Sequence, residues 1–303
     1  MTDTTDYLPG LEIADPQDFQ FSYADPSDAW WRRALIKSVE YFSGQPQLLE
    51  LYRQWAANPP EGENFFAAAV RLLGLKLDLG SDAFAKVPKE GPVLFIANHP
   101  YGVVDGVLMG HFASQIRPDV KIITHSLLCE VPEARPFLLP VDFSGTVEAA
   151  KTSARTRNDS VQWLRQGHSV VIFPAGSVST SNHPFKGAAV DAEWHSFTGR
   201  LALLPNVTVV PICFQGENSR LFQMVSHIHY ALRIALLFRE TRRLMGREIK
   251  VAVGEPIGAD ALAKFGSREA VVQELRRLTL SLRGAHAPDP DETFHWPKHI
   301  HVE

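Results

Sequence analysis

From Pro92 onward, short apolar runs alternate with longer amphipathic stretches, and this alternation limits the chain to strands joined by helical crossovers. A parallel strand covered on both faces reads as a continuous apolar run. Such runs occur at Val93–Ala97, Lys121–Thr124, Leu138–Val141, Val170–Phe173, Val207–Cys213 and Ile249–Val253. The stretches between them predict helices over 105–116, 147–166, 187–204, 218–246 and 259–283. The expectation is an α/β fold whose largely parallel central sheet is flanked by helices and occupies residues 76–283.

Residues 25–75 read as an N-terminal helical extension. Asp25-Pro26 resembles a helix cap followed by proline at the first helical position. The helix that follows places Trp31, Leu35, Val39 and Phe42 on one face, and further helices are expected from Gln47 to Ala57 and from Glu63 to Leu73. Residues 1–24 are expected to form an acidic extended arm, and residues 284–303, with Pro288, Pro290, Pro297, His286, His295, His299 and His301, a flexible tail.

The formal charge of −4 conceals an asymmetry: the first 31 residues hold seven acids and no Lys or Arg, which leaves the remainder at +3. No dense basic stripe interleaved with aromatics appears, so nucleic acid is not an expected partner. Two cysteines, Cys129 and Cys213, sit in or beside apolar segments, which argues against a disulfide framework and fits a reducing cytoplasm. No signal peptide is evident, and no segment approaches the roughly 18 apolar residues of a membrane span. Membrane contact is therefore expected to be peripheral.

Past the run ending at Ala97 come Asn98, His99, Pro100, Tyr101, Gly102, Val103, Val104 and Asp105. A neutral imidazole can take a proton from an alcohol, and a carboxylate can hold its tautomer and stabilise the imidazolium that forms. Asp105, at a helix start, is expected to stay ionised beside the positive end of the helix dipole. Six residue steps span roughly 20 Å when extended, so the two side chains meet only if the loop folds back, and Gly102 permits such a turn.

A second constellation runs Phe173, Pro174, Ala175, Gly176, Ser177, Val178 and Ser179, a strand end turning through hydroxyls and backbone N–H groups that suit an anionic head group. Phe185 and Lys186 follow and bring a cation. A third segment, Val209–Phe214, is an apolar strand containing Pro211, a residue suited to an edge, bulge or strand end.

In this order, over roughly residues 70–260, these segments resemble the glycerolipid acyltransferase family, which includes 1-acylglycerol-3-phosphate and lysophospholipid acyltransferases, and in particular its hemolysin-like bacterial branch. Asn98, His99 and Asp105 match its first block, Phe173, Pro174, Gly176, Ser179, Phe185 and Lys186 its third, and Pro211 its fourth. The resemblance implies His99 and Asp105 as catalytic residues, with Asn98, Gly102, Phe173, Pro174, Ala175, Gly176, Ser177, Ser179, Lys186 and Pro211 lining the substrate. The departures carry information. Five residues rather than four separate His99 from its next acid partner Asp105, with one extra loop residue to absorb; Ala175 stands where the family has Glu, and Val178 and Phe143 where it has Arg. Apolar residues cannot neutralise a phosphomonoester, so an acceptor with a phosphodiester, zwitterionic or amino-acid head group comes into view. Lys186, Arg155, Arg157, Arg200 and Arg220 are the compensating candidates.

The implied reaction is transfer of a fatty acyl group from an acyl-carrier protein or coenzyme A thioester to the hydroxyl of a lysolipid, with no metal or redox cofactor. The Gly102 loop or the Gly176 turn is expected to supply oxyanion donors. No Gly-x-Ser-x-Gly elbow is present, and no compact metal-ligand set. A non-catalytic, hemolysin-like lipid-binding protein is the rival from another class. A cytoplasmic protein on the inner membrane face would dock through the Trp30–Arg33 helix or through Ile228–Met245 with Arg233, Arg239, Arg242 and Arg243.

Overall fold

Alternation within single strands sets the layering. In β2 (Val93–Ala97), Val93, Phe95 and Ala97 face one apolar cluster while Leu94 and Ile96 face another, and all five are buried. The sheet is therefore covered on both sides. We describe the molecule from a computed structural model that covers Ser22 and residues 30–142, 146–284 and 287–300. The other strands are β1 (Lys76–Asp78), β3 (Lys121–His125), β4 (Leu138–Val141), β5 (Ser169–Ile172), β6 (Thr208–Gln215), β7 (Glu248–Val253) and β8 (Ile257–Gly258).

The strand order is β1-β7-β6-β2-β5-β3-β4, with β8 also paired to β6. Strands β2 to β6 run parallel, β7 and β8 lie antiparallel to β6, and β1 runs parallel to β7. The largely parallel sheet read from the sequence is what the chain forms.

One face is covered by α3 (Phe65–Leu72) and α4 (Val103–Ile116). Asn64 caps α3 by accepting the Ala67 N–H at 2.9 Å. Gly110 admits the Phe66 ring, since a Cβ there would lie 2.3 Å from Phe66 Cδ1. The other face carries α5 (Val147–Arg165), α6 (Ser196–Ala202) and α11 (Arg268–Ser281). At the rim lie α1 (Trp30–Ser43), α2 (Gln45–Ala57), α7 (Arg220–Ser226), α8 (Tyr230–Ala235) and α9 (Leu237–Leu244), with the short α10 (Ala259–Leu262) beside β8. At the opposite edge, Asp119 ties the chain down by accepting from Arg117 (2.7 Å), His168 (2.9 Å) and Ser169 (3.2 Å).

Several expectations give way to tertiary structure. The helix expected over 187–204 exists only as α6, because an antiparallel bridge between Thr180 and Val190 holds the preceding segment extended. The single helix expected over 218–246 is three short ones. The apolar face of α1 is not its core face: Ile36 is buried, while Trp31, Leu35 and Phe42 are exposed. The tail is not free where it is described. Phe294 and Ile300 are buried, the Asn182 amide donates to Glu292 and to the Thr293 carbonyl at 3.0 Å each, and His299 Nε2 meets the His227 carbonyl at 2.9 Å. Residues 287–300 thus form a strap over the body. The acidic arm apart from Ser22, the Asp25-Pro26 cap, Phe143, His286 and His301 lie outside the described residues.

Candidate active site

Strands β2, β5 and β6 end at one edge of the sheet, with β2 flanked by β6 and β5. In open parallel sheets, ligand crevices lie at the carboxyl ends of strands where connections lead off in opposite directions. The segments that follow these three strands carry the residues singled out in the sequence.

Leaving β2, Asn98 donates from Nδ2 to the Phe214 carbonyl (2.9 Å) and accepts the Phe214 N–H at Oδ1 (2.8 Å). Its amide prolongs the β2–β6 ladder and is engaged at both ends, so Asn98 clamps the two strands together. The chain then turns at Gly102, whose φ of 83° lies in the left-handed region. That turn absorbs the extra loop residue and brings Asp105, in the first turn of α4, back to His99: Nδ1 and Oδ2 are 3.1 Å apart. The contact is close but bent, without a well-aligned N–H···O bond. The same Oδ2 accepts the N–H groups of Tyr101 (2.7 Å) and Gly102 (2.9 Å), while Oδ1 has no partner.

Asp105 is fully buried, whereas the His99 side chain is 18% exposed. Burial pushes the Asp105 carboxyl above the usual carboxylate range, against the opposing pull of His99 and the two N–H donors. Desolvation therefore outweighs the helix-start effect expected to keep it ionised. A carboxylate in this position gains most from a cation opposite it. His99 lies against the Phe173 ring, with centroids 4.2 Å apart at 33°. With Nδ1 turned to Asp105, Nε2 has no hydrogen-bond partner among the described residues, and an imidazole so held can accept a proton there.

The turn after β5 is fastened to this pair. The Ser179 N–H donates to the His99 carbonyl (2.8 Å), and the Ser179 hydroxyl donates to Asp191. Asp191 also accepts the Trp194 indole N–H (2.9 Å) and lies 3.4 Å from the His99 nitrogen. Buried Asp191 stands in no motif and was not singled out in the sequence; only the fold brings it under His99. Ser179, expected to meet substrate, secures the turn through its bonds to the His99 carbonyl and to Asp191. Arg233 braces the back of the turn, donating to the Thr180 hydroxyl (2.7 Å) and the Val178 carbonyl (2.5 Å). Its guanidinium lies 5.0 Å from the Phe222 ring centre and 4.7 Å from that of Trp296 on the strap. Burial lowers Arg233 to about 10.

The two expected oxyanion donors are engaged, Gly102 N–H by Asp105 and Gly176 N–H by the Phe173 carbonyl at 3.0 Å. By contrast, the N–H groups of Ser177 and Val178 have no acceptor among the described residues, nor does the Ser177 hydroxyl have a partner. Pro174 accepts the His195 N–H (3.0 Å), and the His195 ring stands beside Gly176, its Nε2 3.3 Å from where a Cβ would be. Ala175 and Val178 are buried in apolar clusters, so no cation projects from those positions. Lys186 is exposed in a short turn with His183. Pro211 is a buried strand residue opposite Ile96, placed where the second neighbour of β6 changes from β8 to β7. Burial raises both Cys129 and Cys213 to about 12, which keeps them protonated and unreactive.

A family model described as Acyltransferase matches residues 43–287. The lyso-glycine lipid O-acyltransferase of Phocaeicola vulgatus is 26% identical over 207 residues, spanning 65% of this chain and 69% of that one. The protein of the same name from Bacteroides thetaiotaomicron is 28% identical over 203 residues, spanning 65% and 71%. Among solved structures, the 1-acyl-sn-glycerophosphate acyltransferase PlsC of Thermotoga maritima is similar with 14% identity and a TM-score of 0.46, covering 86% of this chain and 98% of that one.

Proposed function

Because the chain belongs to the acyltransferase family, we propose that it moves a fatty acyl group from a thioester to the hydroxyl of a lysolipid, with His99 as general base and Asp105 orienting it. The observation that carries this reading is the His99–Asp105 contact of 3.1 Å at the strand-end edge, with Nε2 left without a partner. In the proposed step, the acceptor oxygen attacks the thioester carbonyl carbon while Nε2 takes the hydroxyl proton. The tetrahedral oxyanion is met by the N–H groups of Ser177 and Val178 and by the Ser177 hydroxyl. Collapse breaks the C–S bond, and the thiolate leaves with the proton held by the imidazolium. The imidazolium is stabilised while it lasts by the buried Asp105.

The acceptor we favour carries an amino-acid head group of the lyso-glycine type. The support is the apolar character of Ala175 and Val178, which leaves the turn without the charge a phosphomonoester dianion requires, together with the name borne by two relatives. The donor is a thioester of acyl-carrier protein or of coenzyme A. The enzyme works from the cytoplasmic face of a membrane, docked through α1, whose Trp30, Trp31 and Phe42 are 76%, 57% and 81% exposed. No helix among the described residues is long and apolar enough to cross a membrane.

Purified protein given an acyl thioester and a lyso-glycine lipid is expected to form the acylated lipid, measured by mass spectrometry. His99→Ala should lower kcat about 10²–10⁴-fold with folding intact by circular dichroism. Undiminished turnover by that variant would overturn the general-base assignment.

A further inference from the structure

Helix α9 turns its apolar residues inward and its arginines outward. Leu237, Phe238, Thr241 and Leu244 are buried, whereas Arg239, Arg242 and Arg243, with Gln47 of α2 and Met245, line an open cleft of about 480 Å³. The charges there do not balance. Buried Glu240 accepts from both Arg239 and Arg243, at 2.8 Å each, and from the Ser219 hydroxyl at 2.6 Å. Among the described residues, Arg242 has only a 3.4 Å contact with the Ser43 carbonyl. Two of the three guanidinium groups on the lining thus share one carboxylate, and the third meets none among the described residues. The bend between α1 and α2 is shaped around the third: a Cβ on Gly44 would lie 1.9 Å from Arg242 Cδ.

The cleft and His99 share one rim of the molecule. Leu237, at the head of α9, packs where a Cβ on Gly102 would be, 3.0 Å away. Arg243 donates to the Glu217 carbonyl (2.9 Å), two residues past Gln215, whose carbonyl accepts the Tyr101 hydroxyl (2.6 Å). Tyr101 in turn donates its N–H to Asp105. The arginines therefore sit beside the reaction centre but not within it.

We propose that this cleft holds the phosphate of the acyl donor's phosphopantetheine arm, an inference that rests on the thioester reading above. Coenzyme A and acyl-carrier protein share that phosphate, and a long flexible arm separates it from the thioester. Two stations on one rim, a cationic cleft and a general base, suit such a ligand. Guanidinium groups pair with phosphate through charge-assisted, often bidentate hydrogen bonds. A bilayer is the poorer match, because the apolar side of α9 is consumed by the core and the cleft is concave and charged, whereas the exposed aromatic face belongs to α1.

The test compares acyl-phosphopantetheine with acyl-pantetheine, which lacks only the phosphate, using a short-chain soluble acceptor. Wild-type protein should show the lower KM with the phosphorylated donor, and Arg242→Gln should shrink that advantage about tenfold, as expected for one lost charged hydrogen bond. Equal KM values in the wild type, or an advantage unchanged in Arg242→Gln, overturns the proposal. If neither thioester is turned over, it is the acyl-transfer reading that fails. Calorimetry with phosphopantetheine against pantetheine then decides the cleft alone: binding that needs the phosphate and weakens in Arg242→Gln supports it, and binding indifferent to either overturns it. Should Arg242→Gln reduce flotation with phosphatidylglycerol vesicles while leaving the KM ratio intact, the cleft takes a lipid head group and the proposal is wrong.

Discussion

Asp105 is costly to the fold and useful to the proposed reaction, and the two effects separate by substitution. Its folded-state pKa is raised by burial, so over the pH range just above 3.8 the native protein binds a proton more readily than the unfolded chain. Stability contributed at this position is present at low pH and falls as pH rises through that raised value. Asp105→Asn removes the term. The variant is expected to match or exceed the wild type in urea midpoint at neutral pH and to lose that margin on acidification. It should also lower kcat about 10²–10⁴-fold, because a neutral amide no longer stabilises the imidazolium that forms on His99. A variant that kept its rate would remove Asp105 from the mechanism. The pair itself was legible in the sequence, since a histidine at a strand end, a glycine turn and an acid at the next helix start are all local signals. Asp191 was not. It lies 92 positions from His99, and although its bonds to Ser179 and Trp194 are local, its contact with His99 exists only once β2 and β5 are adjacent. Ser179 and Asn98 were found, but their bonds to Asp191 and to Phe214 were not, because a motif position does not reveal which partner a side chain meets.

The strands β2, β4, β5 and β6 were easy to read because each is a short run buried on both faces. Helices were harder wherever a tertiary contact competes with periodicity. Residues 187–195 have apolar residues at helix-compatible spacing, yet the Thr180–Val190 bridge and the bonds of Asp191 keep them extended. Helix α1 illustrates the converse. Its apolar face was visible, but not whether the body or the surroundings would cover it. The neighbours of α1, on α8 and α9, meet the side carrying Ile36, Val39 and Glu40, and so Trp30, Trp31, Leu35 and Phe42 are left outward. If that face docks on lipid, replacing Trp30 and Trp31 by Ser should weaken flotation with vesicles about tenfold or more, with no change in far-ultraviolet dichroism. Equal flotation would assign the stripe to something else.

At the scale of the whole molecule, the strap joins parts that the sequence keeps far apart. Trp296 stacks on Arg233, Phe294 donates its N–H to the Asp191 carbonyl at 3.0 Å, and Arg276 bonds both that carbonyl and that of Glu292. The proline- and histidine-rich composition suggested a free tail, because composition reports what a segment lacks for a core of its own and not the groove it can fill. A chain ending at Gly284 is expected to lose about 3–5 kcal/mol from the uncovered Phe294, Trp296 and Ile300 sites, seen as a lower urea midpoint. Its turnover should fall further than His99 and Asp105 alone would suggest, since Arg233 loses one of its two stacking rings. Unaltered stability and rate would reduce the strap to decoration.

The Arg233 sandwich also sets a timetable for the newborn polypeptide. Its lower ring, Phe222, leaves the ribosome shortly before the arginine, but its upper ring, Trp296, arrives only after the sheet has been completed by β7 and β8. A nascent chain therefore carries His99 and Asp105 well before the arginine that braces the turn after β5 has gained its second ring.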